Sequence, residues 1–512
     1  MKRMSDLEYL RLNKIQKFFY KLACFFMAIP TWFVNLGKKI WGLIKKVGIG
    51  IKNLFVGIVT TFTKGTWKTK VSYVIMGFGN LARGQIFRGL LFLVFEAVFI
   101  FYMVMYGGYW LSKFDNLGDV SVIEVYDPVL DTYYKVPGDD SFKILLYGLL
   151  TILFIIAFIV TWYMNIQQNR IADEIVRSGK KLKSGKQDLQ SLVDDQFHKT
   201  LLALPLTGIT LFTVLPIIFM ILVAFTNYGG QIDGVQNLFT WVGLDNFNEL
   251  LNWDGGTGNL QTAFGEILAW TLMWAFFATF TNYFLGMFVA IMINKKGIRF
   301  KKLWRTILVL TIAIPQFISL MYVAKMFAKN GIVNSFLKDL GIVKYGEFIE
   351  FWTNDSLARV MVILINIWIG IPYLMLISTG VLMNIPSDLY ESSKIDGANV
   401  WQQYTKITLP YMLFVTGPYL LTNFIGNINN FNVIYLLASN GGVNSNPDLL
   451  TSGGSASSLD LLITWLFNIT TGATNNYKLA SVIGIMIFAV VAILSLIVYN
   501  VMPSIKNEED YQ

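Results

Sequence analysis

The chain has 512 residues, 54% of them hydrophobic and only 14% charged, with a net charge of +9. A soluble surface of that size needs roughly 25% charged residues, so a water-soluble multidomain protein is excluded and most of the outer surface must face lipid. The single cysteine, Cys24, excludes a disulfide scaffold, and the single histidine, His198, argues against a histidine-ligated metal or a Ser-His-Asp triad.

The composition predicts an all-α polytopic membrane protein. Residues 1–85 come first as a basic, cytoplasmic or interfacial region. Within it the apolar run 22–36 is short, contains Pro30 and is fenced by Lys17, Lys21, Lys38 and Lys39, so it is not read as a span. Beyond it Ile40, Leu43, Ile44, Val47, Ile51, Leu54, Phe55 and Ile58 recur at steps of three and four, while most of the neighbouring lysines fall off that stripe. A basic amphipathic helix of this kind lies in the headgroup plane of an anionic membrane.

A crossing helix needs about 20 mostly apolar residues. Eight stretches qualify: 86–109, 142–164, 201–225, 264–293, 303–328, 357–384, 411–437 and 478–502. They divide the chain into the first two spans with a linker (86–200), a core (201–502) holding a loop at 385–410, and a tail (503–512). With the amino terminus cytoplasmic, the inner segments carry about 30 Lys and Arg against about five outside, so both termini are expected inside. The loop Asn294–Lys302 contributes five of these cations. A ninth span at 22–36 would reverse the later loops, so eight is the expected number.

The loop between the sixth and seventh spans is chemically distinctive. Pro386 and Ser387 open a helix with Asp388 and Glu391 near its start. Gly397 stops it, and a second short helix is expected to run to Leu409, where Pro410 forces a new direction. Glu391, then Gly397, then Ile407, Leu409 and Pro410 form a pattern Glu-x5-Gly-x9-Ile-x-Leu-Pro. It resembles the EAA signature of membrane subunits of binding-protein-dependent ABC importers, with Ser392 and Ser393 where two alanines are usual.

Stretches Asn366–Tyr373, Asn423–Phe431 and Ser439–Gly442 are similar to those of the larger maltose/maltodextrin permease subunit, over roughly residues 200–500. The resemblance implies that the loop docks as a coupling helix in a cleft of an ATPase subunit. It further implies a second permease, two ATPase copies that use ATP and Mg, and an extracellular sugar-binding protein. The 226–263 loop is too short for the large extracellular insertion of some members, which points to a Gram-positive-type version with a lipid-anchored binding protein.

Sugar hydroxyls and flat sugar faces call for neutral amides and aromatic rings. Asn423, Asn427 and Asn430 stand at i, i+4 and i+7 on the seventh span, and amides left against lipid are costly, so they must face protein or water. The bland alternative is interhelical hydrogen bonding. Asn366, Gly370 and Tyr373 repeat the spacing on the sixth span, near Pro372. The resemblance assigns sugar contact to Asn366, Ile369, Gly370, Tyr373, Asn427 and Asn430, with Asn423 and Gln316 replacing serines and Ile312 a tyrosine.

Other features carry less. Glu96, inside the first span, is expected to make a buried structural contact. Glu266 and Lys325 snorkel at span ends. Gly255–Gly258 is an outside turn, and Gly179–Lys186 has neither the glycine spacing nor the Ser/Thr of a P-loop. No cofactor is expected on this chain and no covalent chemistry. An ion-coupled carrier acting alone would want intramembrane carboxylates or histidines, and a membrane-embedded enzyme would want a catalytic constellation.

Overall fold

The computed structural model describes residues 14–121, 123–128, 131–136, 138–183, 185–194, 196–229, 238–251, 260–295, 297–441, 445–451, 454–471 and 476–501. Most of them are helical. Two small antiparallel hairpins correct the all-α expectation: β1 (Ile123–Asp127) with β2 (Thr132–Val136), and β3 (Ser445–Thr451) with β4 (Gly454–Ser457). The expected tail 503–512 and the expected turn Gly255–Gly258 fall outside the described residues.

Contacts divide the chain into two units, Met1–Ser112 with Tyr147–Thr210, and Lys113–Leu146 with Leu211–Gln512. The first contains α1 (Lys14–Lys64), which covers both the 22–36 run and the amphipathic stripe in one helix. Leu43, Val47, Ile51, Leu54 and Phe55 on that stripe are exposed. α2 (Ile86–Ser112) is long and apolar enough to cross a membrane, and so are α3 (Ser141–Arg177), which continues well past the expected span into a polar stretch, and α4 (Phe197–Val223).

That polar stretch of α3 anchors a buried network. Asn165, Asn169 and Asp173, spaced by four, share one face of the helix. Asp173 accepts from the Thr66 amide and hydroxyl at 3.1 and 2.8 Å, from the Thr69 hydroxyl at 2.6 Å and from the Arg83 guanidinium at 2.5 Å. Arg83 also donates to Asn169 and to the Gly79 carbonyl, both at 2.7 Å. Asn169 in turn donates to Asn80, which donates to Gln85. The ion pair is nearly dry, at 4% and 8% side-chain exposure, and a dry charge persists only when it is paired and its remaining donors are met. Glu96 makes a structural contact, though it is only partly buried: its carboxylate accepts from the Met76 amide at 2.8 Å. Gly179, at φ +73, ends α3 by a left-handed residue, the usual helix stop.

The second unit is organised around α5 (Leu260–Asn294). Its neighbours include α6 (Lys301–Ala313), α8 (Asp355–Leu382) and α10 (Leu409–Ile428). Gly286 brings α5 against α8: a Cβ there would stand 2.7 Å from Leu374 Cβ, the close approach that small residues permit in membrane helix pairs. Trp270, Trp274, Leu320, Val362, Ile434 and Leu459 form one buried cluster, and Phe264, Trp465, Ile469 and Ile483 belong to another. α11 (Phe431–Gly441), α12 (Leu462–Thr471) and α13 (Tyr477–Val501) complete the packing.

Among the described residues six helices are long and apolar enough to cross a membrane, and a seventh crossing exists if α6 and α7 (Gln316–Met326) count as one bent span. The expected uninterrupted fifth span, 303–328, is therefore corrected. Pro315 disfavours the helical conformation at Ile314, which takes φ −80, ψ +125, and the two halves meet at 89°. The expected seventh span, 411–437, is likewise not one helix: α10 ends at Ile428, and Asn430 lies in the break before α11.

Candidate functional site

The bend at Pro315 leaves a partly open cavity of about 460 Å³ in the second unit, bounded on its other side by α8. That volume is in the range of sites that enclose a small organic ligand. Gln316, Ile369, Gly370 and Tyr373, all expected to meet substrate, line it together with Ile312. Trp368, Thr311 and Ser319 also line it and were not among the expected contacts. Trp368 stands within the same Asn366–Tyr373 stretch, and Ser319 is one helical turn beyond Gln316, so both were reachable by spacing.

The lining holds no Asp, Glu, Lys, Arg or His. It offers hydroxyls, one side-chain amide and two half-exposed rings, Trp368 at 54% and Tyr373 at 51%. Such a surface can exchange hydrogen bonds with a polyhydroxyl compound and lie flat against its apolar faces without the tight grip of a charge.

The other expected amides form a separate cluster. Asn427 is buried; its Nδ2 donates to Thr279 Oγ1 at 2.9 Å and more weakly to Asn423 Oδ1 at 3.5 Å. Asn430 Nδ2 donates to Asn427 Oδ1 at 3.3 Å, and Asn430 Oδ1 accepts from the Val433 amide at 3.2 Å, capping α11. The expected i, i+4, i+7 face therefore ends at Asn427, because the helix stops before Asn430. These amides largely satisfy one another and do not line the cavity. Asn366 also lies outside the lining; it is buried on α8 beside Asn282 of α5, whose Nδ2 donates to its carbonyl at 3.3 Å.

The 385–410 loop folds as a compact helix–turn–helix. α9 (Ser387–Ile395) begins at Pro386 and carries the exposed Glu391 and Ser392. It ends at Gly397, whose φ of +76 is the left-handed conformation glycine adopts without cost. The Ala398 amide returns to the Ser393 carbonyl at 2.9 Å, closing the turn. Asn399 and Gln402 then cap the second arm reciprocally. The arms are tied where Tyr390 Oη meets Thr408 Oγ1 at 2.8 Å and Gln403 Nε2 donates to Ser393 Oγ at 2.9 Å. Ser393 thus uses the hydroxyl that an alanine would lack.

Pro410 does not redirect the chain as expected. A π-helical turn over Tyr404–Thr408, which includes Ile407, leads straight into α10, and Pro410 sits in the first turn of that helix, where no amide hydrogen is needed. Leu409 begins α10 and is half-buried. The turn leaves Ile395, Val400 and Trp401 exposed at 88%, 83% and 70%.

Among the described residues no group of His, Cys, Asp and Glu could hold a metal, and His198 is exposed on a helix surface.

Comparison with known proteins agrees with this architecture. Residues 282–506 match the family described as binding-protein-dependent transport system inner membrane component. The chain is 31% identical over 457 residues to the maltodextrin transport system permease protein MdxF of Bacillus subtilis, covering 88% of this chain and 98% of that one. It is 29% identical over 449 residues to the maltodextrin transport system permease protein MalC of Streptococcus pneumoniae, covering 86% and 97%. It is 30% identical over 439 residues to the galactooligosaccharides transport system permease protein GanP of B. subtilis, covering 85% and 97%. With a family match that spans the bent helix pair, the cavity wall and the helix–turn–helix, and relatives matched over nearly their whole length, the chain belongs to the family of inner membrane components of binding-protein-dependent transport systems.

Proposed function

We propose that the chain is the transmembrane permease subunit of an ATP-driven carbohydrate importer, with a maltodextrin-type oligosaccharide as substrate. The observation that carries this reading is the charge-free cavity at the α6–α7 bend, with its hydroxyls, the Gln316 amide and the rings of Trp368 and Tyr373. The names of the relatives support the substrate class.

In this reading the chain supplies half of the path and a second permease the other half. Two ATPase copies bind ATP and Mg, and a lipid-anchored extracellular protein delivers the oligosaccharide. Gln316, Asn366, Ile369, Gly370 and Tyr373 meet the sugar, with Asn423, Asn427 and Asn430 as the amide ladder beside the path. The α9 helix–turn–helix docks on an ATPase through Ile395, Val400 and Trp401. Glu391 and Gly397 set its charge and shape, and Ile407, Leu409 and Pro410 carry its motion into α10. Docking ties ATPase closure to exposure of the cavity, so nucleotide and liganded binding protein shift the same two-state equilibrium. The chain performs no covalent chemistry and carries no cofactor. The lysine-rich loops support cytoplasmic termini in the plasma membrane, and α10 counts as the eighth crossing.

A second reading keeps the mechanism and changes the sugar: identity to the galactooligosaccharide permease is 30%, against 31% for a maltodextrin permease. The test is uptake by the reconstituted complex in proteoliposomes, with labelled maltotriose and a galactooligosaccharide as competitor. Maltotriose uptake that requires ATP and the binding protein is expected. Uptake by this chain alone, driven by an ion gradient, overturns the importer reading, and preferential uptake of the galactooligosaccharide moves the substrate to the second.

A further inference from the structure

Near the cavity two buried side-chain atoms have no hydrogen-bond partner. Asn282 on α5 is 5% exposed and Asn366 on α8 is 6% exposed, and Oδ1 of the first and Nδ2 of the second are both unpaired. Buried polar atoms are nearly always satisfied, so an orphan pair calls for an occupant. The position of Asn282 follows from residue 370 being glycine: a Cβ there would come within 2.3 Å of Asn282 Nδ2. Gly370 therefore touches both the cavity and the Asn282 amide.

The orientation of that amide is set by its neighbour. Asn282 Nδ2 donates to the Asn366 carbonyl; turned over, its oxygen would face another oxygen. Asn282 on α5 thus offers an acceptor, and Asn366 on α8, whose carbonyl the same amide reaches, offers a donor. A cation would meet the hydrogens of Nδ2, and an anion would meet Oδ1. A hydroxyl, donor and acceptor at once, suits both. The amide ladder around Asn427 makes the contrast: its donors and acceptors are engaged with one another and with Thr279 and Val433.

We propose that Asn282 is a specificity-determining residue of the transport site: its Oδ1 accepts a hydrogen bond from one carbohydrate hydroxyl, and that hydroxyl accepts from Asn366 Nδ2. The proposal rests on the carbohydrate reading above. A resident water has the same hydrogen-bonding chemistry and is the rival occupant.

The experiment uses the complete transporter in proteoliposomes, with maltotriose and its set of monodeoxy derivatives. In the wild type, one monodeoxy derivative should be taken up about tenfold less well than maltotriose, the usual size of one lost hydrogen bond. In Asn282→Leu, maltotriose uptake should fall about tenfold while that derivative is unaffected, so the ratio collapses to about one; Asn282→Ser, which keeps an acceptor, should retain part of the discrimination. Equal losses for every sugar would assign the site to water and overturn the carbohydrate as occupant. Unchanged ratios would overturn the proposal altogether. If Asn282→Leu does not assemble with its partner subunits on gel filtration, Asn282→Ala, which also removes the acceptor, is read by the same ratio. A wild-type complex that transports no maltotriose fails the functional reading, a result separate from any change in ratio.

Discussion

The Arg83–Asp173 network and the cavity at the α6–α7 bend are both polar places in an apolar chain, yet they are built on opposite rules. In the network Asp173 receives four hydrogen bonds and the Arg83 guanidinium donates to hydroxyl, amide, carbonyl and carboxylate oxygens. Beside the cavity all groups are neutral, and Asn282 and Asn366 each keep an unpaired atom. A saturated charged network has no capacity left for a ligand and holds one arrangement. A neutral site with spare capacity can take up and release a hydroxylated molecule. The difference separates structure from function more sharply than polarity alone.

The comparison breaks hardest at Asp173. Replacing it with alanine leaves a nearly dry guanidinium without its counter-charge, a loss of about 3–5 kcal/mol. Thermal unfolding of the purified chain should show a large drop in Tm, with the sugar preference of any surviving complex unchanged. A Tm equal to that of the wild type would mean that Arg83 finds water, and the network would lose its structural role.

Asn427→Leu sharpens the contrast within the second unit. It removes the partner of Thr279 Oγ1 and of Asn430 Nδ2, at a cost of about 1–3 kcal/mol. Stability should fall while discrimination among sugars holds, the reverse of what Asn282→Leu should do. A shift in sugar preference without a loss of Tm would make Asn427 a direct contact. Gly397→Ala comes next. No atom lies near a Cβ built there, so the cost is purely that of the left-handed backbone, about 1–2 kcal/mol. Sugar-stimulated ATP hydrolysis should drop while membrane insertion is unaffected; full stimulation would show that the turn is not the coupling element.

Much of this was legible in the sequence, for identifiable reasons. Long apolar runs define membrane helices because lipid offers no hydrogen bonds to the backbone, and the stop at Gly397 follows from a local backbone preference. Gly370 and Tyr373 stood out by their helical spacing, Gln316 and Ile369 only through the family resemblance, and the bend at Pro315 brings all four to one cavity. What was not legible depends on which helices meet. The partnership of Asn282 with Gly370 joins residues far apart in the chain, and the ladder from Asn427 to Thr279 crosses between α10 and α5. The face Asn165, Asn169 and Asp173 was not singled out among the residues of the second span and its linker, and its partners Thr66 and Arg83 appear only on folding. Pro410 misled because a proline reads as a break, and the preceding π turn lets the helix run through it.

The smallest expected effects lie in the ties between the arms of the helix–turn–helix. Tyr390→Phe deletes the hydroxyl that pairs with Thr408, worth about 0.5–1.5 kcal/mol. Ser393→Ala restores the residue usual at that position of the motif and removes the hydroxyl that accepts from Gln403, which keeps the Tyr390 carbonyl at 3.3 Å as a second acceptor. Neither change disturbs α8 or α10, so insertion and sugar preference should match the wild type. If the loop works as a rigid lever, a looser pair of arms wastes nucleotide: ATP hydrolysed per sugar imported should rise modestly in Tyr390→Phe, less in Ser393→Ala, and more in the double variant. Because both ties join the same two arms, the double variant should also depart from additivity. Unchanged stoichiometry in all three would mean that the arms transmit force through Ile395, Val400 and Trp401 without needing these bonds, and the lever would then be stiff by virtue of its backbone turn at Gly397 and the capping pair Asn399–Gln402 alone.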